Sequence, residues 1–412
     1  MTARKIKLSI VVLMLPFAGA CVQQEIIKAN PTPLKTASQD FPDSTVLDVG
    51  VAIFDPGIAD DLAVREQKEE NSNIFPEVRK AEARYMAYQM KRVLEDSGAW
   101  GAVRVLPKAS SGSDLMVFGE ILSSDGEILK LRIKAVDATG HKWLDKKYED
   151  RASKYAYKDY VPSRGDPFLD LYNSIANDLL AVRQQMMVGD LENIRRIAEL
   201  RFAGELSPEV FDDYLEQDKG QYEVRRLPSL DDPMVARMMR IRQREYMYVD
   251  TLDQYYADLY RQMDQPYADW RKFTFDEAVA LRELRAAARN RKLMGALMVI
   301  GGIVVDSKSD TQAARIAGAS GVIGGVAVFK SGMDRSKESQ LHFEAMKELG
   351  ESMEAQVAPM VVEVEGQTVE LTGTVDAQFD EWKVILRDIY AAETGIIVEE
   401  QDAGLNAGPI RP

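Results

Sequence analysis

Cys21 is the only cysteine in a chain of 412 residues, and just two histidines accompany it. One thiol cannot close an internal disulfide, and one Cys with two His cannot fill a Cys/His zinc site. Whatever this chain folds into must therefore be held by its hydrophobic core. The composition allows that: 46% of the residues are hydrophobic and 29% charged, the balance of a globular chain rather than a disordered one. At about 150 residues per domain, the length gives two or three domains. Acidic residues outnumber basic ones by 66 to 52, a net charge of −14, which argues against a nucleic-acid partner held by its phosphates.

The residues ahead of Cys21 follow the layout of a secretory signal. Arg4, Lys5 and Lys7 give a positive start, an apolar run extends from Leu8 to Phe17, and Ala18, Gly19 and Ala20 precede the cysteine. The run is short for a bilayer-spanning helix. The ending Ala-Gly-Ala-Cys resembles the lipobox of bacterial lipoproteins; an ordinary signal cut near a chance cysteine is the competing reading. The resemblance implies that residues 1–20 are removed as a signal peptide, that the Cys21 thiol is diacylated, and that the new amine is acylated. Each buried methylene contributes about 0.8 kcal/mol, so several acyl chains anchor a protein stably. Val22, not Asp, follows the cysteine, which by the same resemblance implies the Gram-negative outer membrane, facing the periplasm. Loss of the three basic residues takes the side-chain charge from −14 to −17. Residues 21–44 contain Pro31, Pro33 and Pro42 and few large apolar side chains, and are expected to form a lipidated, extended tether.

Residues 45–187 predict an α/β sandwich. The run 46–54 is β-branched and apolar and ends at Asp55-Pro56-Gly57, a buried strand followed by a turn. Pro76 opens a helix that Gly98 stops. Strands are expected at Val103–Leu106, Asp114–Leu122, Leu129–Val136 and His141–Tyr148, the last two joined by the turn Asp137-Ala138-Thr139-Gly140. A helix from Pro167 to about Met187 closes the unit. The opening Val-Ala-Ile-Phe, the Gly-stopped helix, the strand Asp-Leu-Met-Val-Phe-Gly-Glu-Ile and the turn Val-Asp-Ala-Thr-Gly give it a resemblance over residues 45–185. It resembles the periplasmic domain of curli-export lipoproteins, penicillin-binding-protein activators and the amino-terminal domain of the TolB translocation protein. In those families the domain mediates assembly or partner contact, not catalysis.

Residues 188–292 read as mostly helical, with breaks near 204–208, Gly220, Pro228, Pro233 and Pro266. Arg225, Arg226, Arg237, Arg240, Arg242 and Arg244 form a basic stretch beside Tyr246, Tyr248, Tyr255, Tyr256 and Tyr260. Such a face could hold an anionic lipid or glycan. The bland alternative is a solvated helix face partnered by Asp231, Asp232, Glu245, Asp250 and Asp253.

Residues 293–333 hold two glycine-rich apolar segments, 293–305 and 313–329, either side of a polar linker. Gly295, Gly301, Gly302, Gly318, Gly321, Gly324 and Gly325 are the candidate packing residues of a hairpin. Small residues on one helix side allow close approach, which matters most in lipid. Gly costs up to about 1 kcal/mol per helical site, so this many require a reason. Three readings stay open: a hairpin that enters a bilayer or oligomerises, a close-packed hairpin inside the fold, and strands. The first segment falls short of the ~20 residues a full span needs.

Residues 334–402 predict a small α/β module, followed by a tail at 403–412: a helix at 336–357, strands at Met360–Val364 and Thr368–Gly373, a helix to Thr394 stopped by Gly395, and a strand at 396–399. The stretch from Glu365 through Val369-Glu370-Leu371-Thr372-Gly373 to Val375 resembles the BON domain, an interaction module of periplasmic and outer-membrane proteins; its helix here ends in Glu393-Thr394-Gly395 rather than Gly-Val.

No catalytic or metal constellation stands out. His141 follows a turn and His342 lies on a helix, each without an orienting partner in the sequence. There is no Walker loop, dinucleotide fingerprint or Gly-x-Ser-x-Gly elbow, and Asp60-Asp61, Asp212-Asp213 and Glu399-Glu400 read as solvated charge. The expectation is an α+β, lipid-anchored outer-membrane protein, not an enzyme and without a cofactor. It would bind or assemble envelope partners and could homo-oligomerise through 293–333. The alternative is a membrane-inserted pore or export component built by that hairpin.

Overall fold

The computed structural model describes residues 31–37, 41–58, 75–157, 166–229, 232–301, 344, 347–348, 360–364 and 367–395. Strand β1 (Val49–Ala52) is buried at every position. Val, Gly, Val and Ala carry no polar side chain that needs water, so the segment suits the centre of a sheet covered on both faces. It pairs in parallel with β2 (Val103–Leu106) on one side and β3 (Leu115–Ser124) on the other. Strands β4 (Ile128–Asp137) and β5 (Lys142–Arg151) continue antiparallel, giving the order β2-β1-β3-β4-β5. On β4, Leu129, Leu131, Ile133 and Ala135 are buried, while Lys130 and Arg132 between them pair with Glu149 and Asp145 of β5. That period of two makes one face core and the other charged.

Helices α1 (Pro76–Asp96) and α2 (Leu169–Gln184) pack on the sheet. The turn between β4 and β5 is held by the Asp137 carboxylate, which accepts from the N–H groups of Thr139 and His141 and from Trp143 Nε1. Residues 31–37, expected to be loose tether, lie instead against α2. The Thr32 N–H donates to Asp170 Oδ1 at 3.0 Å, and the Asn173 and Asn177 amides donate to the carbonyls of Thr32 and Pro33. Arg183, 2% exposed, then sits 3.5 Å over the Phe41 ring and donates to the Thr45 carbonyl.

The helical middle needs two corrections. After α3 (Val188–Leu206) and a helical turn at Pro208–Phe211, residues 215–224 form a hairpin, β6 (Leu215–Asp218) and β7 (Gln221–Val224). Lys219 and Gly220 at its tip both have positive φ, 50° and 83°, the requirement of a tight two-residue hairpin turn. The Tyr222 N–H donates to the Thr139 carbonyl, which docks the hairpin on the β4–β5 turn. Second, Pro266 does not break the helix: α4 (Pro233–Gly301) runs 69 residues, about 100 Å at 1.5 Å per residue. A mid-helix Pro costs about 3 kcal/mol. Here Met263, Tyr267 and Trp270, all buried around it, offset that cost by packing.

Helix α4 runs beside α1 and along β2, the edge of the sheet. Asp253 accepts from the Val105 N–H at 3.2 Å, and Asp250 takes Arg104 at 2.6 Å. An acidic helix face thus covers strand donors that would otherwise form an open edge. At the C-terminal end, β8 (Met360–Val364) and β9 (Gln367–Leu371) form an antiparallel pair followed by α5 (Val375–Thr394). Thr374 caps α5 by accepting from the Ala377 N–H, and Gly395, with φ 70°, ends it as predicted. Buried Trp382 of α5 stacks on Tyr248 of α4 with ring centres 4.9 Å apart. The architecture is α+β: an N-terminal five-stranded mixed sheet, a helical middle and a small C-terminal module.

Residues 293–301 are helical, so the strand reading of the first glycine-rich segment fails over that stretch. Gly295 and Gly301 lie on α4; Gly302, Gly318, Gly321, Gly324 and Gly325 lie outside the described residues, as do Cys21, His342 and the strand expected at 396–399. The helix expected at 336–357 falls within them only at residues 344, 347 and 348. Among the described residues, no helix is long and apolar enough to cross a membrane.

Candidate functional site

The basic stretch divides: Arg225 and Arg226, ahead of α4, are exposed, while Arg242 and Arg244 on α4 enter a joint. Arg242, 8% exposed, donates to the Gly112 carbonyl at 2.7 Å and lies 3.4 Å from Glu199 and 3.8 Å from Asp114. Arg244 and Arg240 both reach Glu393 of α5, at 3.1 and 3.5 Å. The bland reading of paired arginines fits, but with other partners. Nearby Asp250 and Asp253 serve Arg104 and Lys91 of the sheet domain, and α4's arginines take acids from the β2–β3 loop, α3 and α5. Tyr248 and Tyr260 are buried in the core, unavailable as a binding face, and Tyr256 is buried except where it lines a cleft. Asp212 and Asp213 are exposed, as expected of solvated charge, and so is His141.

Where the β2–β3 loop, α3, α4 and α5 meet, Glu245 is the pivotal group. It is 3% exposed and its Oε2 has no hydrogen-bond partner among the described residues. Around it, Lys383 of α5 donates to Glu205 of α3 at 2.6 Å, Ser111 donates to the same carboxylate, and Lys108 pairs with Asp380 at 2.5 Å. Burial pushes the Glu245 carboxyl from its ordinary 4.5 up to about 7, against the pull of Lys383. Burial likewise raises Asp114 to about 6, although the Asp48 N–H donates to it at 2.8 Å. Glu245 borders a cavity of about 20 Å³ that Ser110, Ser113 and Tyr246 also line. One water molecule fits that volume, and a substrate does not. The arrangement can hold or release a proton at neutral pH; its geometry is that of a clamp between segments.

A second, larger opening of about 320 Å³ lies where β1 and β2 end, roofed by the start of α5. Sequence reasoning pointed to neither place. Both are assembled from segments more than a hundred residues apart, and the one local signal was Arg84, a charged residue between the buried stretches 81–83 and 85–87.

No protein family, no curated protein and no solved structure matches the chain.

Proposed function

We propose that this chain is an outer-membrane lipoprotein, anchored through acyl groups on Cys21, that works in the periplasm as a binding and assembly protein of the cell envelope. The observation that carries the reading is the position of Cys21: the sole cysteine stands where a positive start, a short apolar run and Ala-Gly-Ala require it. The fold is compatible with such an anchor. Thr32 is already tied to α2, so ten residues lie between Cys21 and that tie, a leash of at most about 36 Å over the eleven steps from Cys21 to Thr32. The resemblance of residues 45–185 to envelope assembly domains, and of 365–375 to the BON domain, supports partner contact as the work done. The partner would be an envelope protein, with no role for nucleic acid.

A second reading, a membrane-inserted pore or export component, draws on one feature: α4 continues as unbroken helix into the glycine-rich segment as far as Gly301. Homo-oligomerisation through 293–333 would suit either reading.

Metabolic labelling with an alkynyl palmitate, followed by intact mass, tests the anchor. The reading expects label on the wild type, none on Cys21→Ser, and a mature chain starting at Cys21 with its acyl mass. An unlabelled wild type cut elsewhere contradicts it.

A further inference from the structure

Ile53 and Pro107 directly follow the parallel strands β1 and β2, and together they line the cleft of about 320 Å³. The chain leaves β1 through α1 to reach β2 on one side, while β3 flanks β1 on the other. Open sheets bind ligands in the crevice outside the carboxyl ends of their strands, at such a change of direction. The volume is that of a small-molecule site.

Four polar side chains line this cleft, and one of them, Thr374, is engaged as the cap of α5. Arg84 on α1 is half-buried and donates to the Lys80 carbonyl at 3.2 Å; among the described residues it meets no carboxylate. Asp376 in the first turn of α5 is exposed and, among the described residues, meets no cation. Tyr256 of α4 is 2% exposed, and its hydroxyl has no hydrogen bond among the described residues. Burial raises the Tyr256 hydroxyl, Arg84 opposes that rise and Asp376 adds to it, so both charges act on the same ring. Opposite charges that share a cleft without pairing are complementary to a ligand that carries both. The full charge of Asp376 outweighs the fractional positive charge of the α5 N-terminus beside it.

We propose that this cleft binds a small zwitterion, an α-amino acid or dipeptide with an apolar side chain. Its carboxylate meets Arg84, its ammonium meets Asp376, and its side chain rests on Ile53, Pro107 and Val375. Tyr256 offers its hydroxyl to the ligand backbone. A bound ligand would bridge α1 to α5 and so fasten the C-terminal module to the sheet domain. The inference does not depend on how the chain is anchored.

Calorimetric titration of the full chain in detergent, with L-leucine and L-alanyl-L-leucine as probes, tests it. N-acetylleucine and leucinamide each lack one charge. The expected result is saturable binding of at least one zwitterion, with both single-charge analogues weaker by about tenfold or more. Arg84→Gln should lower zwitterion affinity by a similar factor and leave leucinamide unchanged. Asp376→Asn should do the reverse, sparing N-acetylleucine. Circular dichroism melts matching the wild type show that both variants fold. Absence of saturable heat with both zwitterions up to about 10 mM, or equal affinity for the single-charge analogues, overturns the proposal.

Discussion

Arg271 Nη1 of α4 donates to Asp166 Oδ2 at 2.8 Å, with both side chains at most 2% exposed. Asp166 stands just ahead of α2, so one ion pair ties the long helix to the sheet domain across 105 residues of sequence. Tyr267 stacks under the guanidinium at 4.1 Å, and the Asp166 charge holds Arg271 protonated against the cost of its burial.

Removing one partner strands the other. Asp166→Ala is expected to destabilise the protein by about 3–5 kcal/mol, because an uncompensated charge stays buried. Asp166→Leu combined with Arg271→Met should recover most of that loss. Urea unfolding of the two variants beside the wild type measures both, and equal loss in the double variant refutes the argument.

Glu245 predicts a pH dependence. Its folded pKa of about 7 lies above its ordinary value of 4.5, so the folded state holds this proton more tightly than the unfolded state does. The group therefore adds nothing unfavourable below pH 4.5, and its penalty grows as pH rises to 7 and then levels off. The full penalty is roughly 3 kcal/mol. Glu245→Gln should be more stable than the wild type at pH 8 and equal to it at pH 4. Parallel stability curves across that range contradict the assignment.

Gly126 has φ 79°, and a Cβ there would stand 2.4 Å from the Arg271 carbonyl oxygen and 2.8 Å from the Phe275 nitrogen. Both obstacles are backbone of α4 and cannot swing away. Gly126→Ala is expected to cost about 2–4 kcal/mol, combining the left-handed conformation with overpacking. Thermal melting checks the size of the loss. Hydrogen exchange should show faster exchange in α4 around residues 271–275.

Trp382 is 1% exposed and stacks on Tyr248, so it anchors α5 to α4. Trp382→Ala should cost about 3–5 kcal/mol locally. Limited proteolysis should then cut within 372–395 well before it cuts the sheet domain. Cleavage of both at one rate would mean that α5 and the sheet unfold as a unit.

Much of the sheet domain was legible because its strands and helices carry unmixed local signals. Val103–Leu106 was placed to the residue, and the alternation along Leu129, Leu131, Ile133 and Ala135 named the buried face of β4. The Gly stops at 98 and 395 held because both residues adopt positive φ. The misses share another cause, in that tertiary contact overrode local preference. Pro266 sits among aromatic residues that bind α4 to α1, and Lys219 accepts a strained φ because β7 docks on the Thr139 carbonyl. Residues 31–37 looked like linker because nothing in them signals the asparagines of α2 that hold their carbonyls. The joint at Glu245 draws on four elements and the cleft at Arg84 on five, and sequence spacing does not reveal such meetings.

The central claim is that acyl chains on Cys21 are what hold this protein to the membrane. The direct measurement is fractionation of cells carrying Cys21→Ser behind a signal cut by the ordinary peptidase, with alkaline extraction of the membranes. The account predicts a soluble periplasmic protein. Retention in the membrane pellet after alkaline extraction would contradict it and place the anchor in residues 293–333.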